Sequence, residues 1–154
     1  PKIHRPIKFE THMPFSIAMQ IRRFWDSGTY DIFKLHTSDS DGLTIYFEDD
    51  YLKASFTQDS VVERVEWQET SYGSWHSVVV RRDPEGNFSL VVDGTEQDTA
   101  AAGNTSAFAN EITLGVIGEG AASEFNPRFG LAEFGMFDRY LSDAEITLLD
   151  TQIS

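Results

Sequence analysis

The stretch from Gly73 to Gly94, Gly-Ser-Trp-His-Ser-Val-Val-Val-Arg-Arg-Asp-Pro-Glu-Gly-Asn-Phe-Ser-Leu-Val-Val-Asp-Gly, constrains the fold more than any other part of the chain. It reads as two strands joined by a tight turn. Trp75 and the run Val78-Val79-Val80 have the aromatic and β-branched composition of a largely buried strand. Asp83-Pro84-Glu85-Gly86-Asn87 cannot extend a ladder, because Pro84 has no amide to donate and Gly86 can take positive φ. Phe88, Leu90 and Val92 then share one face, and Asp93-Gly94 supplies the next turn.

Period-two alternation recurs on both sides of this hairpin. Ile7 and Phe9 read as a short opening strand. Phe15, Ile17, Met19 and Ile21 alternate with Ser16, Ala18, Gln20 and Arg22, the pattern of a half-buried strand. Tyr30 to Leu35 is the next strand. Leu43, Ile45 and Phe47, answered by Leu52, Ala54 and Phe56 after Glu48-Asp49-Asp50, form a hairpin. Val61, Val65 and Trp67 alternate with Arg64, Glu66 and Gln68. Beyond the central hairpin, Thr99 to Asn110 reads as a loop, Ile112 to Val116 as a strand, Gly118 to Arg128 as a second loop, and Phe129 to Asp138 as the last strand. Only the tail is helical. Ser142-Asp143-Ala144-Glu145 has the form of a capping box, with Ile146, Leu149 and Ile153 behind it at helical spacing. About ten short strands with regular turn signals and one or two terminal helical turns predict an all-β fold, a two-sheet antiparallel sandwich.

At 154 residues the chain is one domain's worth, expected to bury roughly 70% of its unfolded surface, and 1–154 is read as a single domain. It contains no cysteine, so disulfides, thiolate metal sites and cysteine nucleophiles are excluded. A net charge of −13 argues against nucleic-acid binding, which needs lysine and arginine to neutralise phosphates. No apolar run approaches the roughly 20 residues that span a bilayer. No signal peptide is read after Pro1, and the start at Pro1 leaves two readings open, an excised piece or removal of an initiator methionine.

The order of these elements resembles a known family. Phe15-Ser16-Ile17-Ala18-Met19, Gly73 to Val80, Phe88 to Gly94, and Leu131-Ala132-Glu133-Phe134-Gly135-Met136-Phe137-Asp138-Arg139-Tyr140-Leu141-Ser142-Asp143-Ala144-Glu145-Ile146 are similar to four of its motifs, in the family's order. That family is the laminin-G-like jelly-roll branch of the concanavalin A-like lectin/glucanase superfamily. Ala132 stands where the family commonly has Asp, and Gly135 where it has Arg. The resemblance implies a jelly-roll sandwich, usually without catalysis, that binds glycan or protein ligands, often with calcium, and the ligand is expected on the rim loops. It also implies an extracellular, cell-surface or virion setting, with other virion proteins as further partners. The rival reading is a structural component of a phage particle, such as a decoration, fibre or tail protein. Fold alone does not choose between them.

Several residues are candidates for a site. A sugar-binding face needs an exposed aromatic ring beside hydrogen-bonding side chains, because a pyranose presents C–H patches and hydroxyls together. Trp25, Tyr30 and Tyr72, with Asn104, Asn126 and Arg128 in later loops, are the candidates for ligand binding, whereas Trp67 and Trp75, on strands, are expected in the core. Asp39 and Asp41 could ligate calcium with loop carbonyls. An EF-hand is rejected there, since Thr37 holds the first ligand position and strands flank the loop. His76 is expected to make a structural hydrogen bond. A glycoside hydrolase is the minor alternative. It would need a close carboxylate pair, whereas Glu48-Asp49-Asp50 sits at a turn and Glu96-Gln97-Asp98 is followed by Thr99 and Ala100.

Overall fold

Ten strands and one helix form among the residues that the computed structural model describes, 13–24, 27–36, 42–58, 61–101, 114–117 and 129–153. They are β1 (Phe15–Arg23), β2 (Thr29–His36), β3 (Gly42–Glu48), β4 (Tyr51–Gln58), β5 (Val61–Gln68), β6 (Trp75–Arg82), β7 (Phe88–Val92), β8 (Thr95–Ala100), β9 (Leu114–Ile117), β10 (Phe129–Phe137) and α1 (Asp143–Ile153). All pairings are antiparallel, in two five-stranded sheets ordered β10-β1-β6-β7-β8 and β5-β4-β3-β2-β9. This is the two-sheet jelly-roll sandwich with a C-terminal helix that the sequence predicts. No described helix is long and apolar enough to cross a membrane.

The central hairpin forms as read. Val78 pairs with Val92, Val80 with Leu90 and Arg82 with Phe88. Its turn is closed by Asp83, whose carbonyl accepts from Gly86 N at 3.0 Å and whose Oδ1 accepts from Asn87 N at 2.8 Å, while Gly86 adopts φ 92°. The β3–β4 hairpin pairs Leu43 with Phe56, Ile45 with Ala54 and Phe47 with Leu52. These side chains, the odd-numbered residues Phe15 to Ile21 of β1, and Val78, Val80, Phe88, Leu90 and Val92 share one core between the sheets.

The loop expected from Thr99 to Asn110 begins later than predicted: Thr95–Ala100 is a strand, and 102–110 lie outside the described residues. Asp93 and Gly94, at φ 50° and 79°, make a two-residue hairpin of the type whose twist matches the flanking strands. β8 is the polar edge of its sheet, so it carries no apolar alternation to read. Its register also shifts between Leu90 and Val91, which puts Asp98 opposite Leu90 and Glu96 opposite Val91. Glu96 and Asp98 therefore turn to opposite faces: Glu96 reaches Arg81 at 3.2 Å, and Asp98 accepts from Glu66 N on β5 at 2.9 Å. Carboxylates so divided cannot flank one glycosidic bond.

Inside the sandwich, Glu63 of β5 faces inward with the apolar residues and meets Arg82 of β6 at 2.6 Å, both nearly fully buried. Removing one partner of such a buried pair leaves an uncompensated charge. The outer face of the β6 sheet is also covered, at one end, by α1. There Val79, Val91, Leu141 and Ile146 form a second small core with Ala18, Phe137 and Leu149. Arg81 ties the helix down from below, donating to Leu141 O at 2.7 Å and pairing with Asp143 at 2.8 Å beneath the Tyr140 ring. The capping box forms: Glu145 N donates to Ser142 Oγ and Ser142 N to Glu145 Oε1, each at 3.2 Å. At 11 residues the helix runs about three turns, longer than the one or two predicted.

Candidate functional site

The opposite end of the same outer face is open, and its residues follow from strand parity. Val78 and Val80 point into the main core, so Trp75, an odd number of residues away from both, points out. Trp75 is 46% exposed, against the expectation that it is core. Its register partner on β1 is Arg22, and Arg22 pairs on its other side with Gly130 of β10. A Cβ on Gly130 would stand 3.0 Å from Trp75 Cη2 and 3.4 Å from Phe24 Cζ, so both rings lie over the bare backbone of that glycine. Phe24, 41% exposed, also carries the Arg22 guanidinium 5.4 Å from its ring centroid. Tyr72, 54% exposed, hydrogen-bonds Phe24 O through its hydroxyl. Two exposed rings, Trp75 and Phe24, thus meet over Gly130 beside Arg22, and the exposed Tyr72 stands at their rim over Arg23.

A chain of charges, buried at Arg23, Glu69 and His76 and exposed at its Asp49 and Asp93 ends, lies beneath this patch. Arg23 donates to Asp49 O at 2.6 Å and lies over the Phe47 and Tyr72 rings. Its Nε is 2.6 Å from Glu69 Oε2, misaligned for a hydrogen bond, so Coulomb attraction carries the contact. Asp49, at φ 53° in the β3–β4 turn, exchanges backbone and side-chain hydrogen bonds with Gly28. Glu69 Oε1 lies 3.2 Å from His76 Nε2, and His76 Nδ1 lies 2.8 Å from Asp93 Oδ2. The Trp67 ring, half-buried against the core, meets the imidazole edge-on. The contact with Glu69, and then that with Asp93, raises the His76 pKa against the desolvation of its ring. The structural hydrogen bond expected of His76 is therefore present, in company that sequence order gave no means of finding.

Ser71 Oγ also lies 3.2 Å from His76 Nε2, which completes the outline of a serine–histidine–aspartate relay. Glu69 lies as close to the same nitrogen, so Ser71 and Glu69 contend for it, and the Glu69 contact raises the His76 pKa. On the other sheet, Glu48 and Glu66 converge on the Lys53 ammonium. Their shared cation ties the two carboxylates together as salt bridges.

Of the residues singled out for ligand binding, Tyr72 belongs to the exposed patch. Tyr30 does not: it is 4% exposed, its ring 5.5 Å from Phe47 and stacked 6.1 Å from Phe129. A register shift between Asp31 and Phe33 turns it inward opposite Phe47, where plain alternation from Phe33 and Leu35 would turn it out. Trp25, Asn104, Asn126 and Arg128, and the calcium candidates Asp39 and Asp41, lie outside the described residues, as do Ile7 and Phe9. Among the described residues no group of three or more His, Asp or Glu could hold a metal ion. Phe24, Arg22 and Trp75 were the residues missed. The run Val78-Val79-Val80, buried at both parities, left no alternation in the sequence from which to place Trp75.

Solved structures share this architecture. The binding domain of botulinum neurotoxin serotype G superposes with a TM-score of 0.79 at 13% identity, over 96% of this chain and 38% of that one. The binding domain of botulinum neurotoxin DC, solved in complex with rat synaptotagmin II, gives 0.76 at 16% identity, over 93% and 37%. Botulinum neurotoxin type C, from a study of its dependence on two ganglioside molecules for cell entry, gives 0.75 at 16%, over 93% and 37%. The chain spans less than two fifths of the length of these neighbours, and at such identities the likeness is one of fold. No curated protein matches the sequence. The laminin-G-type family model matches residues 5–147, and the chain belongs to the concanavalin A-like lectin/glucanases superfamily.

Proposed function

We propose that this chain is a non-catalytic recognition module for glycan or protein ligands, and that a saccharide ring is its ligand at the patch formed by Trp75, Phe24 and Tyr72. One observation carries the reading: Trp75 and Phe24 stand exposed together over Gly130, with the exposed Tyr72 hydrogen-bonded to Phe24 O at their rim, on a sheet whose other end is covered by a helix. Exposed rings offer the C–H faces of a pyranose a flat apolar surface, and nearby polar groups can meet its hydroxyls. The fold neighbours support a binding role, since they are toxin binding domains, one solved with a protein and one studied with gangliosides. Their matched segment is under two fifths of each chain, so the ligand of this protein is argued from its own residues. An extracellular, cell-surface or virion-surface setting belongs to the same proposal, as does calcium at Asp39 and Asp41.

A saccharide array followed by titration of the intrinsic tryptophan fluorescence tests it. Binding that is lost in Trp75→Ala, with the fold intact by circular dichroism, is the expected result, and a chelator arm reads the calcium dependence. Absence of binding to any saccharide would sink the glycan reading. The same exposed rings favour a second one, a structural component of a larger assembly in which a neighbouring chain covers the patch. Co-purification with such an assembly, lost in Trp75→Ala, is its test.

A further inference from the structure

We infer that the patch selects an acidic saccharide, with its ring on Trp75 and its anion on Arg22; the inference rests on the saccharide reading of the same site. The argument comes from how the chain distributes its few cations. It has 25 acidic residues against 12 lysines and arginines, so acceptors for a basic side chain are plentiful. Accordingly, the other described lysines and arginines have polar partners. Arg23 meets Glu69, Lys34 meets Asp31, Lys53 meets Glu48, Arg82 meets Glu63 and Arg139 meets Glu145. Arg81 is satisfied by Leu141 O and Asp143, and Arg64 by Ser55.

Arg22 is the exception among the described residues. It has no hydrogen bond and no ion pair there, and its Nε is buried without an acceptor. Its one contact of note is the Phe24 ring, which orients the guanidinium without satisfying any of its five N–H donors. An unpaired buried donor is costly, and a planar fork of donors recognises a carboxylate or sulfate by paired, charge-assisted hydrogen bonds. The unpaired cation also stands between Trp75 and the glycine both rings cover, in register with each. A ligand that is neutral would leave the fork empty. A ligand that is anionic but lacks an apolar ring face would leave the indole uncovered. A sugar bearing an acid group meets both demands, at the one described arginine or lysine that lacks a polar partner of its own.

The test uses the full chain and a matched set of probes with one core: lactose, sialyllactose and sulfolactose, within an array that holds neutral, carboxylated and sulfated members of other cores, and a hexaglutamate peptide. Supporting results are tighter binding of an acidic member than of its neutral counterpart, weakening by salt, and a loss of about tenfold or more in Arg22→Gln but less in Arg22→Lys. The carboxylated and sulfated arms tell which acid group is preferred. Equal binding of neutral and acidic members, unchanged in Arg22→Gln, overturns this inference and leaves the saccharide reading standing. Binding of no saccharide, or of the hexaglutamate peptide alone, overturns both.

Discussion

The two ends of one sheet face are finished in different ways. At one end, α1 lies across Val79, Val91 and Ala18, and Arg81 spends its guanidinium on Leu141 O, Asp143 and Glu96. At the other, Trp75 and Phe24 remain exposed, and Arg22 has no polar partner among the described residues. Both ends present apolar side chains and an arginine on the same strands, β1 and β6. The covered end therefore shows what this chain does when an apolar surface with a cation is meant to be internal: it brings its own helix and its own acceptors. The open end is the same kind of surface without such a cover among the described residues, and that contrast is what motivates the proposed ligand.

The contrast can be broken at the covered end first, where the effect is largest. Ile146→Ala should lower stability by about 2–5 kcal/mol in urea denaturation, because a fully buried side chain between helix and sheet is lost. Trp75→Ala at the open end, though it removes a larger side chain, should cost much less, within roughly 1 kcal/mol, since half of that ring already faces water. Similar costs at the two ends would mean that Trp75 is packing material and not a platform.

A second measurement sharpens the link between the platform and the charges beneath it. His76 has a folded pKa above its ordinary value near 6.5, through Glu69 first and Asp93 next. The sign follows from linkage: this contribution to stability is fully present below about pH 6.5 and is lost as pH rises through the raised folded pKa. Glu69→Gln should bring the imidazole pKa, followed by proton NMR, back toward the ordinary value and flatten that dependence. An unchanged titration would show that Glu69 is not what holds the proton.

The smallest effect is expected at Gly130. Gly130→Ala puts a methyl 3.0 Å from the Trp75 ring, so the indole must give by a few tenths of an ångström. Since the neighbouring atoms are the outer ends of the Trp75 and Phe24 side chains, stability should change little while the tryptophan emission shifts. An unaltered spectrum would place the ring elsewhere.

How much of this was legible in the sequence differs between fold and site for a physical reason. The central hairpin could be read because Pro84 and Gly86 punctuate it and Phe88, Leu90 and Val92 alternate. β8 could not, because an edge strand with both faces wet, Thr95-Glu96-Gln97-Asp98-Thr99-Ala100, has nothing to alternate. Trp75 was misplaced because Val78-Val79-Val80 is buried on both faces, one by the main core and one by α1, which erases the parity that would have turned the indole outward. Tyr30 was misplaced by a bulge, which changes a side chain's face without leaving a mark in composition. Arg23, Glu69, His76 and Asp93 meet from four different segments, and no spacing rule joins them. The part that was local was readable; the part built by convergence was not.

The indole of Trp75 resting on Gly130 has one further consequence. A side chain that a ligand must first freeze takes roughly 0.5–1.5 kcal/mol from the binding free energy. Here the ring is laid against backbone before any ligand arrives, with Phe24 beside it and Tyr72 hydrogen-bonded to the Phe24 carbonyl. The ordering entropy is thus met during folding, so under the proposed reading a small, weakly hydrophobic ligand would meet rings that are already ordered.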